Sequence, residues 1–383
     1  MVVFSDIVLH INVFFHHLSN LRFKKMLIET QNYLKTYSWN SRKRFWLFAF
    51  FSIIGFILSL PCFGQDEWSG SVFFENDLFT NTDRNYTNGV ELSFVSPDLN
   101  QFVGEVPGWT ERFIELLPFV NAEPKPGEVM QKNIGLSLGQ LMFTPQDIAD
   151  YNLIVDDRPY AGWLYLGIAF HSKTEKKLDT LEIQLGVVGP LSGAEFAQKF
   201  VHSMRNLQTP NGWPHQLENE PGINFIYEHK RRLLCSQSEN TGGFGGDAIG
   251  RAGFSMGNVS TYANIGAEGR LGWNVPKDFG TLTLRSTGNI MATKRSNERP
   301  NFALYAFVGA EGRGVLRNIF LDGNTFENSH SVDRRPWVAD AYAGISLDIY
   351  SVKFSYAQVF RTKEFESQNE DHRFGSLTAT VFF

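Results

Sequence analysis

Alternation of apolar and polar residues is the dominant pattern in the chain after about residue 65. In residues 90–94, Val-Glu-Leu-Ser-Phe, aliphatic or aromatic side chains occupy every second position and polar ones stand between them. Because successive side chains of a strand point to opposite faces, this period of two predicts β-strands. Twelve strands are predicted, at 68–76, 90–94, 133–139, 163–170, 181–186, 222–230, 245–257, 259–273, 301–313, 338–350, 351–361 and 376–383.

The C-terminal strand distinguishes between two folds that the alternation alone allows. In a β-sandwich the apolar face meets a second sheet, whereas in a membrane barrel it meets lipid and the other face lines a polar lumen. The last strand places Leu377, Ala379, Val381 and Phe383 on one face and ends on the aromatic Phe383, which is typical of the signal that the barrel-assembly machinery recognises. We therefore predict an all-β fold, a transmembrane antiparallel β-barrel of about twelve strands. An even count returns both termini to the periplasm.

The N-terminal region predicts export. A basic cluster at 42–44 precedes a Phe-rich apolar run at 45–60 and small residues near Gly64, the pattern of a secretory signal peptide. We expect residues 1–64 to form an N-terminal extension and signal peptide, and residues 65–383 to form the barrel in the outer membrane of a Gram-negative bacterium. Lipid attachment at Cys62 is a weaker alternative, because the three residues before it fit that signal poorly. Translation starting at Met26 or later is another.

Composition narrows the class of protein. Beyond the predicted signal only Cys235 remains, so no intramolecular disulfide and no cysteine-based metal site is expected. The net charge of −5, without a basic tract, argues against nucleic acid as a partner. No later run of about eighteen apolar residues predicts a membrane-spanning helix. We expect a monomer whose surroundings are outer-membrane lipids.

Strand direction brings several polar clusters to one rim of the predicted barrel. The first strand rises to Asn76 and Asp77, and the second begins near Thr87. The loop after the third strand contains residues 156–162, and the loop after the fifth contains residues 190–221. Because strands alternate in direction, all of these segments are predicted at the outer rim.

The side chains at this rim suggest hydrolytic chemistry. The segment after the fifth strand has helical character, and Gln198 and His202 stand four residues apart, so both project from one helical face. A histidine can serve as a general base for water because imidazole titrates near neutral pH. Asn76 and Asp77 offer hard oxygen ligands suited to calcium. Parity along the second strand places Thr87 on the polar face, pointing inward.

Each of these motifs also has a purely structural interpretation. Asn76–Asp77 can be turn residues, and Asn88–Gly89 is a common hairpin dipeptide. A single histidine such as His202 is more often packed than catalytic. Asp157–Arg158 can be an ion pair that fixes its loop, and Glu220 is expected, with Glu218, on a solvated face.

As an ordered set, the motifs resemble the lipid A 3′-O-deacylases of the LpxR type. The motifs that carry the resemblance are Asn76-Asp77, Asp83-Arg84, Tyr86-Thr87, Gly89, Asp157-Arg158, Ala161, Gly189-Pro190, Gln198, His202, Trp213 and Gln216. The resemblance implies a calcium-dependent site between the barrel wall and a short helix of an outer loop, which removes 3′-linked acyl groups of lipid A in lipopolysaccharide.

The resemblance also implies roles for individual residues. His202 is expected to be the base, and Gln198 to orient or bind. Asn76, Asp77 and Thr87 are expected on the metal and oxyanion side. Residues expected to bind the substrate are Arg158, Tyr160 and Trp213.

Two departures from the family pattern concern the substrate. Members of the family carry a lysine in the second outer loop, but residues 142–157 contain neither Lys nor Arg, which leaves Arg158 as the nearest cation. They also carry a carboxylate six residues beyond the histidine, where this chain has Gln208. The alternative functions are an outer-membrane phospholipase, which would need a Ser–His pair on the lipid-facing wall, and a non-catalytic channel or adhesin.

Overall fold

Twelve antiparallel strands close into a single barrel in the computed structural model. The structure describes residues 68–77, 85–99, 129–236, 243–280 and 301–383. Each strand pairs with its neighbours in sequence, and the first also pairs with the last. The predicted signal peptide lies outside these residues, as does Asp83–Arg84. The predictions of an all-β barrel and of twelve strands are confirmed.

The strands and helices have the following bounds. The strands are β1 Ser69–Asn76, β2 Asn85–Val95, β3 Gln131–Thr144, β4 Ala161–Lys173, β5 Lys177–Val188, β6 Glu220–Cys235, β7 Phe244–Gly257, β8 Ser260–Trp273, β9 Phe302–Asn318, β10 Trp337–Ile349, β11 Val352–Arg361 and β12 His372–Phe382. The helices are α1 Ala194–Arg205 and α2 Ile319–Asp322, with 3₁₀ turns at Pro190–Ser192 and Trp213–His215. In the described ranges, no helix has the length and apolar character needed to cross a bilayer.

The two faces of the wall differ as the alternation predicts. In β9, exposed and buried residues alternate without interruption from Phe302 to Arg313. On the inner face of the opposite wall, Tyr165 donates a hydrogen bond from its hydroxyl to Glu91 Oε2 at 2.6 Å. Its ring lies over Gly139, where a side chain would collide with it. On the outer face of the same strands, leucines such as Leu138 and Leu166 are exposed.

The two rims of the barrel carry different connections. Trp68 and Phe383 exchange backbone hydrogen bonds of 2.7 and 2.9 Å at one end, which we call the terminal rim. Of the connections at this rim, 174–176 and 350–351 are short, whereas residues 96–130 join β2 to β3 and residues 274–301 join β8 to β9. At the opposite end, the loop rim, four connections of ten or more residues span 145–160, 189–219, 319–336 and 362–371. Helix α1 lies in the second of these four.

Buried charges hold the loops over the mouth of the barrel at the loop rim. Arg158 in the 145–160 connection pairs with Glu364 in the 362–371 connection at 2.8 Å. Below them, Asp340 accepts hydrogen bonds from Arg361 and Arg313, both at 2.8 Å. Breaking such buried pairs is costly because one charge would be left uncompensated. The mouth is thus bridged by ion pairs between segments far apart in sequence.

Glu220 corrects one expectation from the sequence. Its side chain is buried, and its carboxylate accepts hydrogen bonds from Asn258 Nδ2 at 2.8 Å and from the backbone N–H of Thr325 at 2.7 Å. The prediction of a solvated face for Glu220 was therefore wrong. The residue joins the start of β6 to the 319–336 connection, because a carboxylate at a strand end can satisfy the donors of an overlying loop.

Candidate functional site

Helix α1 is bounded by residues in the left-handed region. Gly193 precedes it with φ 71° and Asn206 follows it with φ 51°, and the backbone N–H of Asn206 donates to carbonyls of the last turn. Glycine and asparagine are the residues that accept this conformation most readily at helix ends. The buried residues of the helix are Ala194, Gln198, His202 and Arg205. The prediction that Gln198 and His202 share one face is confirmed.

The start of α1 lies directly against the outer face of β4. A Cβ placed on Gly162 would lie 2.0 Å from Ser192 Oγ and 2.4 Å from Ala194 Cβ. No other residue could occupy position 162 without moving the helix. On β3, Gln140 donates from Nε2 to the backbone carbonyl of Ser192 at 2.7 Å. The wall and the helix are therefore held together by one close approach and one hydrogen bond.

A row of four residues crosses the wall beneath and beside the helix. Asn76 is paired with Asn88, Asn88 with Met142, and Met142 with Gly162 in successive strands. Directly opposed residues of antiparallel strands share one face of the sheet. Since Gly162 faces α1, the side chain of Asn76 lies on the same outer face as the helix. The loop-rim end of β1 and helix α1 thus border one region of the wall.

His202 is oriented through its Nδ1 atom. This nitrogen is 2.6 Å from the backbone carbonyl oxygen of Gln208. A carbonyl oxygen can only accept, so Nδ1 carries the proton and Nε2 is the nitrogen that can accept one. The family pattern has a carboxylate at position 208, but here the main chain of Gln208 orients the ring. This contact of the imidazole uses the backbone and does not depend on the side chain at position 208.

Gln198 is positioned by the indole of Trp213. Trp213 Nε1 donates to Gln198 Oε1 at 2.7 Å, and both side chains are buried. Because an indole N–H can only donate, the amide atom that faces Trp213 is Oε1, and Nε2 points away from Trp213. Among the described residues, Gln198 Nε2 is buried and has no hydrogen-bond partner. A buried donor without a partner costs free energy, so its presence points to a bound water or ligand.

Tyr160 and Trp213 pack together beneath α1 and beside Gln198. Their rings lie 4.9 Å apart between centroids, and Tyr160 donates from its hydroxyl to the carbonyl of Ile148 at 3.1 Å. Both are almost fully buried. In the structure these two residues contact protein groups and support Gln198. Direct substrate binding by Tyr160 and Trp213 stays a prediction.

Arg158 lies in the barrel mouth. Its side chain is buried, and its guanidinium stands over the rings of Phe143 and Phe365 at 5.7 and 5.3 Å from their centroids. Burial raises the pKa of Glu364, but Arg158 and Arg361 outweigh this and lower the pKa of Glu364 to about 2. The ion pair joins two loops, in place of the pair with Asp157 that the sequence suggested. Substrate binding by Arg158 stays a prediction.

Asn76 and Asp77 lie at the loop-rim end of β1. Both side chains are buried, and their amide and carboxylate oxygens are donors of the kind that calcium prefers. Asn88 is the neighbour of Asn76 in the row, and its Oδ1 is buried without a hydrogen-bond partner in the described part of the chain. The described residues contain no group of three or more His, Cys, Asp or Glu that could hold a metal. The oxygen donors fit a calcium ion in kind, without a complete ligand set.

Thr87 falls at an irregularity in β2. The pairing of β2 with β3 shifts register between Tyr86 and Asn88. A shift of one residue interrupts the alternation of faces, so parity counted from Gly89 does not extend to Thr87. The side chain of Thr87 lies outside the described residues. Its predicted role stays a prediction.

Three neighbours of the site were not singled out from the sequence. Gln140 holds the turn before α1, and Asn88 stands in the row beside Asn76. Arg205 is buried on the same face of α1 as Gln198 and His202. The helical spacing of three residues between His202 and Arg205 was a signal that could have identified Arg205. Nothing in the pattern marked the other two.

The model of the family described as "Outer membrane protein LpxR" matches residues 47–383. This chain belongs to the LpxR family. The match covers every described strand and α1. No curated protein sequence matches the chain.

Comparison with solved structures gives the following similarities. LpxR from Salmonella typhimurium is 20% identical and matches with a TM-score of 0.64, over 82% of this chain and 100% of that chain. The β domain of the Bordetella autotransporter BrkA is 9% identical, with a TM-score of 0.37 over 83% of this chain and 99% of that chain. The similarity to the Salmonella protein shows that the two chains share a barrel fold.

Proposed function

We propose that this chain is a lipid A 3′-O-deacylase, an esterase that hydrolyses 3′-linked acyl esters of lipid A in the outer leaflet of the outer membrane. The observation that carries the proposal is the arrangement of side chains on the buried face of α1, which lies against the wall. This face holds a histidine whose Nδ1 is fixed by Gln208 and, four residues earlier, a buried amide with an open donor. Membership of the LpxR family supports the same activity.

His202 acts as the general base in this proposal. With the proton on Nδ1, Nε2 accepts a proton from water, and the oxygen of that water attacks the ester carbonyl. The bond between the acyl carbon and the sugar oxygen then breaks, and the proton passes from Nε2 to the departing sugar alkoxide. A positioned base contributes a rate factor of about 10²–10⁴. No serine nucleophile is required, because the water itself forms the new bond.

In this proposal, Gln198 binds and orients the ester or the attacking water. Its Oε1 is occupied by Trp213, so Nε2 is the atom that faces the ligand. An amide N–H is a suitable donor to an ester carbonyl oxygen or to the attacking water. A donor fixed in advance stabilises charge that develops on oxygen during the reaction, because it needs no reorganisation.

Calcium is proposed as the cofactor, held by Asn76 and Asp77, with Thr87 on the same side. Asn88 offers a further oxygen next to Asn76. When bound, a divalent cation stabilises negative charge on an ester oxygen. The row from Asn76 to Gly162 supports placing this side of the site on the same outer face as α1.

The alternative of an open channel is disfavoured by the charges in the barrel mouth. Arg158–Glu364 and Arg313–Asp340 bridge the loops and strands there, and their side chains are buried. An outer-membrane phospholipase remains the nearest enzymatic alternative. The pocket under α1 offers a histidine with an amide, which favours attack by water over a serine mechanism.

The remaining elements of the proposal concern location. We expect export by the signal peptide, membrane insertion by the barrel-assembly machinery acting on the strand that ends at Phe383, and a monomer. The loop rim, with α1, then faces the cell exterior, since an even number of strands brings the start of β1 and the end of β12 together at the periplasmic rim.

Mass spectrometry of lipids from a Gram-negative host tests the activity. Lipid A and phospholipids are extracted from cells that express the chain, in the presence of calcium and after chelation. Loss of a 3′ acyl or acyloxyacyl group only with calcium supports the deacylase. Appearance of lysophospholipid supports the phospholipase instead. Unchanged lipids from cells in which the barrel is folded, as judged by heat-modifiable gel migration, contradict both activities.

The metal side is tested by one conservative substitution. Asp77→Asn removes a charge and keeps the shape, so activity at low calcium is expected to fall and to recover partly at high calcium. Asp371→Asn, at an exposed carboxylate in the 362–371 connection, is the matched control. Equal calcium dependence of both variants and the wild type would argue against Asp77 as a ligand.

A further inference from the structure

Helix α1 presents apolar residues away from the protein. Phe196, Phe200 and Met204 follow one another at intervals of four, so they form one stripe along the helix. Their exposed fractions are 75%, 54% and 52%, and the two phenyl rings stack with centroids 6.0 Å apart. The buried face carries Gln198 and His202 instead. This is the reverse of a helix in a water-soluble protein, whose apolar stripe faces the core.

A polar strip runs beside the apolar stripe. Lys199 and Ser203 are exposed, and Lys199 Nζ pairs with Glu195 Oε1 at 2.5 Å, one turn earlier. A helix with an exposed apolar stripe and a charged flank has the character of one that lies in the plane of a membrane surface. The flank can remain at the level of the polar head groups while the stripe is buried in lipid.

The stripe continues the lipid-facing surface of the barrel. Leu138, Leu166 and Leu185 are paired in register on β3, β4 and β5, and all three are exposed on the outer face. Gly162, which contacts the start of α1, lies four residues from Leu166 toward the loop rim. Leu191, just before the helix, is also exposed. The helix therefore lies at the upper edge of a leucine belt, on the same side of the wall.

We propose that the stripe of Phe196, Phe200 and Met204 inserts among the acyl chains of the membrane leaflet at the loop rim, and that a lipid ester reaches His202 sideways from that leaflet. The occupant of this surface is the acyl-chain layer of the membrane itself. The proposal rests on the proposed function, since it supplies the route into the same pocket. The continuous apolar surface from the leucine belt to α1 is what argues for lipid over a protein partner.

Fluorescence in vesicles tests the insertion directly and without catalysis. Cys235→Ser is combined with Phe200→Cys, the cysteine is labelled with an NBD group, and the barrel is placed in phosphatidylcholine vesicles with or without brominated acyl chains. The label is expected to emit at shorter wavelength and to be quenched about twice as strongly as the same label at Lys199→Cys on the polar strip. Equal quenching at positions 199 and 200 overturns the proposal.

Activity in two environments tests the route. Phe196→Ser/Phe200→Ser is expected to lose about ten-fold in kcat/KM on lipid A in bilayers, and little on lipid A dispersed in detergent, because only the bilayer route uses the stripe. Phe326→Ser is the matched control, since Phe326 is 72% exposed in the 319–336 connection. An equal loss in both environments overturns the route.

The two proposals fail in different ways. If the label at position 200 is quenched by brominated chains and the wild-type barrel releases no acyl group, the proposed function is wrong and the insertion of α1 stands. If acyl groups are released and position 200 is quenched no more than position 199, the insertion is wrong and the proposed function stands.

Discussion

Two polar regions at the loop rim, the barrel mouth and the pocket under α1, are built from different kinds of groups. In the mouth, Arg158, Arg361, Asp340 and Glu364 are buried as pairs of opposite charge. In the pocket, the amide of Gln198 is held by Trp213, and the imidazole of His202 by a backbone carbonyl. The first region is built from ion pairs, and the second positions Gln198 and His202 through hydrogen bonds to an indole and to a backbone carbonyl.

This difference indicates whether a buried polar cluster has a structural or a functional role. Ion pairs join segments that are distant in sequence and resist separation, so the mouth serves the fold. Neutral groups fixed at one atom leave a second atom with hydrogen-bonding capacity, which is what a reaction needs. Gln198 Nε2 is such an atom in the described structure. We therefore expect the two regions to respond differently to substitution.

The largest effect is expected at His202. His202→Ala removes the proposed base and should lower kcat by a factor of about 10²–10⁴, while heat-modifiable gel migration stays that of a folded barrel. The assay is release of the 3′ acyl group from lipid A. A folded His202→Ala barrel that cleaves as fast as the wild type would show that the pocket has another role.

The ion pair in the mouth should affect stability more than activity. Arg158→Met removes the shorter of the two ion pairs of Glu364 and leaves only its contact with Arg361 at 3.7 Å, so the free energy of unfolding is expected to fall by about 2 kcal/mol. Denaturant unfolding in detergent measures this fall, with Glu364→Gln as the comparison. If Arg158 also binds substrate, Arg158→Met raises KM and Glu364→Gln does not. Equal effects of both variants on KM assign the pair to the fold alone.

A smaller effect on activity is expected at Trp213. Trp213→Phe keeps a ring against Tyr160 but removes the donor to Gln198 Oε1, so the amide is free to turn. Losing one such hydrogen bond should lower kcat/KM about ten-fold. Tyr160→Phe, which removes the hydroxyl bonded to Ile148 and leaves Gln198 in place, is the control and should change kcat/KM less. A larger loss at Tyr160 would contradict the positioning of Gln198 by Trp213.

The last prediction concerns pH. Because the pKa of Glu364 is lowered from 4.5 to about 2, the folded state holds the carboxylate ionised where the unfolded chain binds a proton. This contribution to stability is full above pH 4.5 and is lost as the pH falls toward 2. The free energy of unfolding of the wild type, measured with denaturant, should therefore fall as the pH is lowered across that window. The slope should be shallower in Glu364→Gln, and an unchanged slope would contradict the assignment to Glu364.

Most of the barrel could be predicted from the sequence, because lipid on one side of the wall and a polar lumen on the other impose alternation. The predicted strand ends are wrong where the outer face of the wall is covered by protein. β3 continues to Thr144, beyond the predicted end at residue 139, and its last four residues are all buried. Helix α1 covers the outer face there, at Met142, so apolar residues no longer mark one face only.

Strand direction predicted the common rim of the candidate site, but contacts between side chains could be predicted only within single elements. Helical spacing placed Gln198 and His202 together, and α1 confirms this. The pair between Arg158 and Glu364 joins residues 206 positions apart, and no local pattern indicates it. The register shift at Thr87 is equally invisible, because one extra residue leaves the composition of a strand unchanged.

The missing side chain at Gly162 makes the pocket adjustable at one position. A Cβ there would meet Ser192 and Ala194, so α1 approaches the wall only as far as a hydrogen atom allows. The distance between α1 and the wall is thus set at Gly162, a residue without a reacting group. Replacing Gly162 by Ala, and then by Ser, would space the helix outward in steps. Substitution at position 162 is therefore expected to change which acyl chains fit, while His202 and Gln198 are unchanged.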